Sequence, residues 1–329
     1  MANRELLHTA QMLCTLGVAL MAGPALSAQE PSRPQHIQAQ LDEADAIVGD
    51  DRKLRILRNY HCYYVDPALA AFRPSVMDET DFLFGTPILD NVTYLGYLNL
   101  AVYAIKTSEG LVLIDAGGTR EQGERILTWL DDAGYAPSDL KWIILTHEHG
   151  DHVAGAEVLR AATGAQIFAG AAALDADHGG IPEALQPVDV VIDAREARTL
   201  GDTEFVFLPT PGHTPGTLSI FAPVVVDGER RMASFWGGKG MRPNVANLRQ
   251  MLESVKIFAD ESEALGVSVP LSTHSWGDGT ISRLIEKMLA PSLPNPFVLS
   301  AQQNHANQEL LRLCASAYLD AVVVEKAEK

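Results

Sequence analysis

From Val92 onward, short apolar runs alternate with amphipathic stretches along the chain. Val92-Thr-Tyr-Leu-Gly-Tyr-Leu, Ala101-Val-Tyr-Ala-Ile-Lys and Leu111-Val-Leu-Ile-Asp have the length and β-branched content of strands, and Thr107-Ser-Glu-Gly between the last two is a hairpin signal. An amphipathic helix is predicted over residues 121–133, a buried strand from Trp142 to Thr146, a helix over 153–162 and a strand beginning at Gln166. Further strands are predicted over 188–192, 204–208, 217–221, 231–235 and 267–271, and further helices over 244–264, 281–289 and 301–323. Strands and helices alternate twice with hairpins between them, so the fold class is α/β. Before Val92 the texture differs. Residues 29–90 form an N-terminal arm that starts polar, carries one helical pattern from Ile37 to Leu57, and then becomes irregular around Pro67, Pro74 and Pro87.

The extreme N-terminus changes the reading of where the chain works. Residues 1–28 place Arg4 ahead of an apolar stretch from Met12 to Ala22, and Pro24 ahead of small residues ending at Ala28. This is the layout of a secretory signal peptide, which implies a periplasmic or secreted protein with no integral membrane segment after cleavage. Beyond that leader the cysteines are Cys62 and Cys314. They read as packing residues, and the sequence leaves their pairing open. The formal charge of −17 repels polyanions, so nucleic acid is excluded as a partner and a small-molecule substrate is expected.

The chemistry concentrates directly after the strand ending at Leu145, in Thr146-His147-Glu148-His149-Gly150-Asp151-His152. Several imidazoles and a carboxylate crowded at a strand-to-helix junction are costly unless a cation neutralises them. Two further histidines follow strands in stiff loops: His213 in Pro209-Thr-Pro-Gly-His-Thr-Pro-Gly, and His274 in Leu271-Ser-Thr-His-Ser-Trp. Ligands held at strand ends are what a preorganised metal site needs, and nitrogen with carboxylate donors suits zinc.

His147-x-His149-x-Asp151-His152, with His213 in a GHTPG loop and Asp115 in Leu-Ile-Asp-Ala-Gly, resembles the metallo-β-lactamase superfamily. The resemblance covers residues 91–276 and implies a four-layered αβ/βα sandwich, with residues 277–329 as C-terminal helices packing on that core. It implies two Zn2+ per chain, one held by His147, His149 and His213 and the other by Asp151, His152 and His274. Asp115 would orient the ligand loop, and Asp151 would also orient the attacking water. Most hydrolases of the superfamily bridge the metals with an aspartate after a later strand, whereas this chain reads Met232-Ala-Ser-Phe-Trp-Gly-Gly-Lys-Gly there. Without that carboxylate, the ligand set resembles the subclass with a His-His-His and an Asp-His-His site.

The implied activity is a β-lactamase-like zinc hydrolase that cleaves a cyclic amide or a related acyl bond with a metal-activated water. A lactonase, esterase or thioesterase of the glyoxalase II type is the alternative, and a mononuclear-iron sulfur dioxygenase is a more distant one. True β-lactamases carry serines where this chain has Trp236-Gly-Gly-Lys239, and a small residue where it has Trp276. Lys239, Trp236 and Trp276 are therefore candidate substrate contacts, with Arg242 as a second candidate cation for an anionic group. Glu148 reads as solvent-facing or structural, His178 as a loop residue near the cleft, and the long C-terminal helix as a candidate homodimer contact.

Overall fold

The computed structural model describes residues 33–72, 83–175 and 180–327, so the leader at 1–28 and His178 lie outside the described residues. The compact unit runs from Gln35 to Lys329. It opens with α1 (Gln35–Val48) and α2 (Arg52–His61), two helices where the hydrophobic pattern suggested one. Gly49 at φ +49° breaks the run, and the Asp51 carboxylate accepts from the backbone N–H groups of Lys53 and Leu54 to start the second helix.

Two sheets follow. The first is ordered β1 (Thr86–Leu89), β2 (Val92–Tyr94), β3 (Tyr103–Thr107), β4 (Gly110–Ile114), β5 (Leu140–Ile144), β6 (Gln166–Gly170) and β7 (Val190–Ile192). It is antiparallel as far as β4 and parallel beyond, because α3 (Arg120–Asp132) and then α4 (Gly150–Val153) with α5 (Ala156–Thr163) carry the chain back between parallel strands. The second sheet contains β8 (Glu196–Leu200), β9 (Thr203–Pro209), β10 (Leu218–Val226), β11 (Glu229–Trp236) and β12 (Val267–Ser272), in reverse sequence order from one edge. The helix α6 (Val245–Ala264) connects β11 to the parallel β12, and α7 (Thr280–Leu289) and α8 (Ala301–Ala327) complete the chain.

Alternation along the strands sorts the side chains into layers. Tyr103, Ile105, Val112, Ile114, Trp142 and Phe168 meet Phe205, Phe207, Ile220 and Phe235 between the two sheets. Their neighbours Ala104, Leu111, Leu113, Ile143 and Ile167 face α3 and α5. On the second sheet Val206, Leu208, Phe221, Trp236 and Val267 face α6 and α8. Two sheets face to face with helices outside each make the four-layered αβ/βα sandwich. A further apolar cluster joins α1 and α2 to α8, and there Cys62 and Cys314 form a disulfide with Cα atoms 4.6 Å apart. The packing role read from sequence is thus corrected, since both sulfurs sit in one buried layer that brings together residues 252 positions apart. No helix among the described residues is long and apolar enough to cross a membrane.

Candidate metal centre

Each of the six predicted ligands stands at or just beyond a strand end, on the rim where the two sheets meet. His147 and His149 lie in the turn between β5 and α4, Asp151 and His152 in the first turns of α4, His213 between β9 and β10, and His274 just beyond β12. They gather into two sets, His147 with His149 and His213, and Asp151 with His152 and His274. In the first set His213 Nε2 lies 3.2 Å from His147 Nε2 and 3.0 Å from His149 Nδ1. In the second, His152 Nε2 lies 3.2 Å from His274 Nε2, and Asp151 Oδ2 lies 3.4 and 3.6 Å from those two nitrogens.

The other ring nitrogens decide what these short separations mean. His213 Nδ1 is 2.6 Å from the Gly240 carbonyl and His274 Nδ1 is 3.1 Å from the Asn99 carbonyl; a carbonyl only accepts, so both Nδ1 atoms carry the proton. Thr146 Oγ1 donates to the Asp115 carboxylate and so accepts from His147 Nδ1, and His152 Nδ1 donates to the same carboxylate at 2.6 Å. Four Nε2 atoms are therefore left facing one another in pairs. Nitrogens at 3.2 Å need a shared proton or a cation between them, and a cation is bonded by both. Tetrahedral zinc with bonds of 2.0–2.1 Å separates its nitrogen ligands by about 3.3 Å. The donor set fits a pair of divalent ions.

The electrostatics agree. Burial, with the neighbouring His149, holds His213 neutral down to about pH 3, and burial beside His152 holds His274 neutral down to about pH 4. Burial also disfavours the charged form of His152, but the Asp115 and Asp151 charges outweigh it and raise its pKa to about 9, so a proton occupies this position when no cation does. Asp151 lies well below the ordinary carboxylate range; its hydrogen bond to His152 and the charges of His152 and His274 outweigh burial.

Asp115 is fully buried at the end of β4 with φ +62°, a left-handed conformation that is strained outside glycine. One carboxylate there meets Thr146 N, Thr146 Oγ1 and His152 together. Glu148 is buried rather than solvent-facing, and accepts from Thr214 Oγ1 to tie the first ligand turn to the loop of His213. The missing bridging carboxylate has a steric cause. A Cβ on Gly238 would lie 2.5 Å from His213 Cβ, and one on Gly240 would lie 2.7 Å from His213 Cε1. Side chains are excluded at these two positions beside the ligand.

Two of the expected substrate contacts point elsewhere. Trp236 faces α6, with its ring 4.7 Å from Phe258 in a T-shaped contact, because alternation on β11 turns Phe235 toward the other sheet. Lys239 is buried with its ammonium against His61 Nδ1, while His61 Nε2 donates to Asn307 Oδ1. Burial, offset only in part by Asp278, lowers the Lys239 pKa to about 7. Between about pH 7 and 10.5 the unfolded chain therefore holds this proton and the folded chain does not, so stability rises with pH over that window. Denaturation at pH 7 and pH 9 is expected to show that rise in the wild type and a flatter profile in Lys239→Met.

Trp276, in contrast, does border the site, with its ring 5.6 Å from that of His274. The exposed Arg242 takes the position expected for Lys239, with Nη2 3.0 Å from His149 Nε2. Sequence reasoning missed the carbonyls of Asn99 and Gly240. They act through backbone atoms, which no residue type announces.

Comparison with known proteins agrees with this geometry. Residues 96–225 match the Metallo-beta-lactamase superfamily. A hydroxyacylglutathione hydrolase of Cereibacter sphaeroides is 42% identical over 98 residues, or 30% of this chain and 34% of that protein. Another, of Pseudomonas putida, is 28% identical over 185 residues, covering 48% of this chain and 68% of that protein. The chain thus spans about a third of the length of the first of these relatives. Among solved structures, BJP-1, a subclass B3 metallo-beta-lactamase of Bradyrhizobium japonicum, superposes with a TM-score of 0.59 at 25% identity over 77% of this chain and 97% of that one. The FEZ-1 metallo-beta-lactamase from Legionella gormanii shares the fold at a TM-score of 0.60 and 21% identity, over 78% of this chain and 98% of that one. With six donors converging on the sheet rim of a four-layered sandwich and a family match over residues 96–225, the chain carries a metallo-β-lactamase superfamily domain.

Proposed function

We propose that the protein is a di-zinc hydrolase that cleaves a cyclic amide or a related acyl bond. The observation that carries this reading is the gathering of six donor atoms into two sets, with the Nδ1 atoms of His147, His152, His213 and His274 each committed to an oxygen elsewhere. When bound, two such ions supply Lewis acidity and a water acidified to near neutral pH. His147, His149 and His213 would hold one ion and Asp151, His152 and His274 the other, and the chain would then need no serine or cysteine nucleophile. Asp151 keeps about a third of its side chain exposed and stays ionised, so it can take a hydrogen bond from the attacking water and align it.

Arg242 donates to His149 Nε2, which fits only the tautomer with its proton on Nδ1. To hold an ion on Nδ1 the ring would carry its proton on Nε2 instead and would no longer accept from Arg242, leaving the exposed guanidinium free to turn toward an anionic substrate group. Arg242→Gln is expected to raise KM about tenfold for carboxylate-bearing substrates and to change it little for neutral esters, as measured by steady-state kinetics.

A β-lactam ring is the first choice of substrate. Support comes from the ligand set without a bridging carboxylate and from the likeness to a subclass B3 enzyme. A thioester is the second, supported by the hydroxyacylglutathione hydrolase relatives. The test is turnover of a cephalosporin, a carbapenem, a γ-lactone and a thioester, each with and without a chelator. Hydrolysis of at least one, lost on chelation and untouched by serine-directed inhibitors, is expected; chelator-resistant hydrolysis contradicts the reading. We further place the protein in an oxidising compartment, a reading supported by the Cys62–Cys314 disulfide and the leader-like residues 1–28.

A further inference from the structure

A cavity of about 460 Å3 opens beside the second ligand set, lined by Trp276, whose ring neighbours His274. Its walls are mainly Tyr60, Tyr63, Leu98, Trp276 and Ile281, with Ile56 behind them. Two contacts couple it to the ligands, and a third joins its aromatic walls. The Trp276 ring lies 5.6 Å from His274 and 5.7 Å from Tyr63, and the Asn99 carbonyl on the cavity wall receives the His274 Nδ1 proton. The Ser275 hydroxyl on the same wall donates to the Leu98 carbonyl, pinning the loop between β2 and β3 to the loop of His274. Trp276 is buried, and its indole N–H has no acceptor among the described residues. A buried unsatisfied donor is uncommon in a finished core and common at a binding site.

Most of these walls lie outside the matched residues 96–225. Ile56, Tyr60 and Tyr63 come before them, from α2 and the turn after it, and Trp276 and Ile281 come after them. The pocket is therefore assembled by this chain's own flanking helices, held together by the Cys62–Cys314 bond next to Tyr63.

We propose that this pocket receives an apolar side group of the substrate, an aryl ring or a short alkyl chain on the acyl carbon, while the scissile carbonyl sits at the two ligand sets. Aromatic walls suit a planar ring, and the volume holds a phenyl group with its linker. With Arg242 on the His149 side and the pocket on the His274 side, the site favours a molecule that is anionic at one end and apolar at the other. This assignment rests on the hydrolase reading for its biological meaning but is testable without turnover.

The experiment is calorimetric titration of the purified, metal-loaded protein with phenylacetate and with acetate, product-like acids that differ by one ring. Phenylacetate is expected to bind tighter by roughly tenfold to a hundredfold. Ile281→Trp, which fills the pocket from α7, and Ser282→Trp, on its exposed rim, are each expected to bring the two affinities together, with thermal melting used to verify folding. Equal affinities in the wild type, or a preference that survives both filled variants, overturns the pocket assignment. A preference that is retained while no ester, thioester or lactam is hydrolysed upholds the pocket and refutes the hydrolase reading instead.

Discussion

Replacing His213 with alanine is expected to lower kcat/KM by on the order of a thousandfold or more and to cut the bound metal by about half. The side chain is held from both ends. Its Nδ1 proton is fixed by the Gly240 carbonyl, and its Nε2 faces His147 and His149 within 3.2 Å. Deleting it leaves two nitrogens where a tetrahedral ion needs at least three protein donors. The neighbouring Gly237, Gly238 and Gly240 offer no replacement, because they carry no side-chain donor. Steady-state kinetics together with elemental analysis of the purified variant checks the result. The comparison with Asp115→Asn is informative. Asp115 touches no proposed ion, yet it orients both Thr146 and His152, and losing that orientation is expected to cost about ten- to a hundredfold in metal affinity.

The second large effect concerns stability rather than chemistry. Breaking the Cys62–Cys314 bond by Cys314→Ser is expected to destabilise the protein by about 2–5 kcal/mol. The bond closes a loop of 252 residues, so the unfolded chain gains much freedom when it is cut, although the division between entropy and enthalpy depends on the model used. Both sulfurs are fully buried between α2 and α8, so a serine hydroxyl there also lacks solvent. Urea denaturation with and without a thiol reductant checks this, and an unchanged midpoint contradicts it. Since Tyr63 adjoins Cys62, loosening this layer is also expected to weaken the phenylacetate preference.

The ligands were legible from the sequence because their signal is local. Four of the six fall within His147–His152 at the end of one buried strand, and the other two sit in loops stiffened by proline or directly after a strand. The strands of the inter-sheet layer were legible for a similar reason, since runs such as Leu111–Ile114 are apolar on both faces and bury both. What escaped was set by distant partners. β8 reads Glu196-Ala-Arg-Thr-Leu, with most of its side chains in solvent, and forms a strand only by pairing with β9. β1 contains Pro87 and survives as an edge. The orientation of Trp236 was available in principle, because a strand cannot turn Phe235 and Trp236 to the same side, yet its place before the glycines suggested the cleft. Lys239 was misplaced because nothing local shows that α2 and α8 would bring His61 and Asn307 over it.

Two divalent cations held by six side chains are the premise of the whole reaction, and metal quantification on the purified protein, paired with turnover before and after chelation, tests it most directly. Two zinc ions per chain, with activity that vanishes on their removal and returns on reloading, is the predicted result. Full turnover by a chain shown to be free of metal would contradict it.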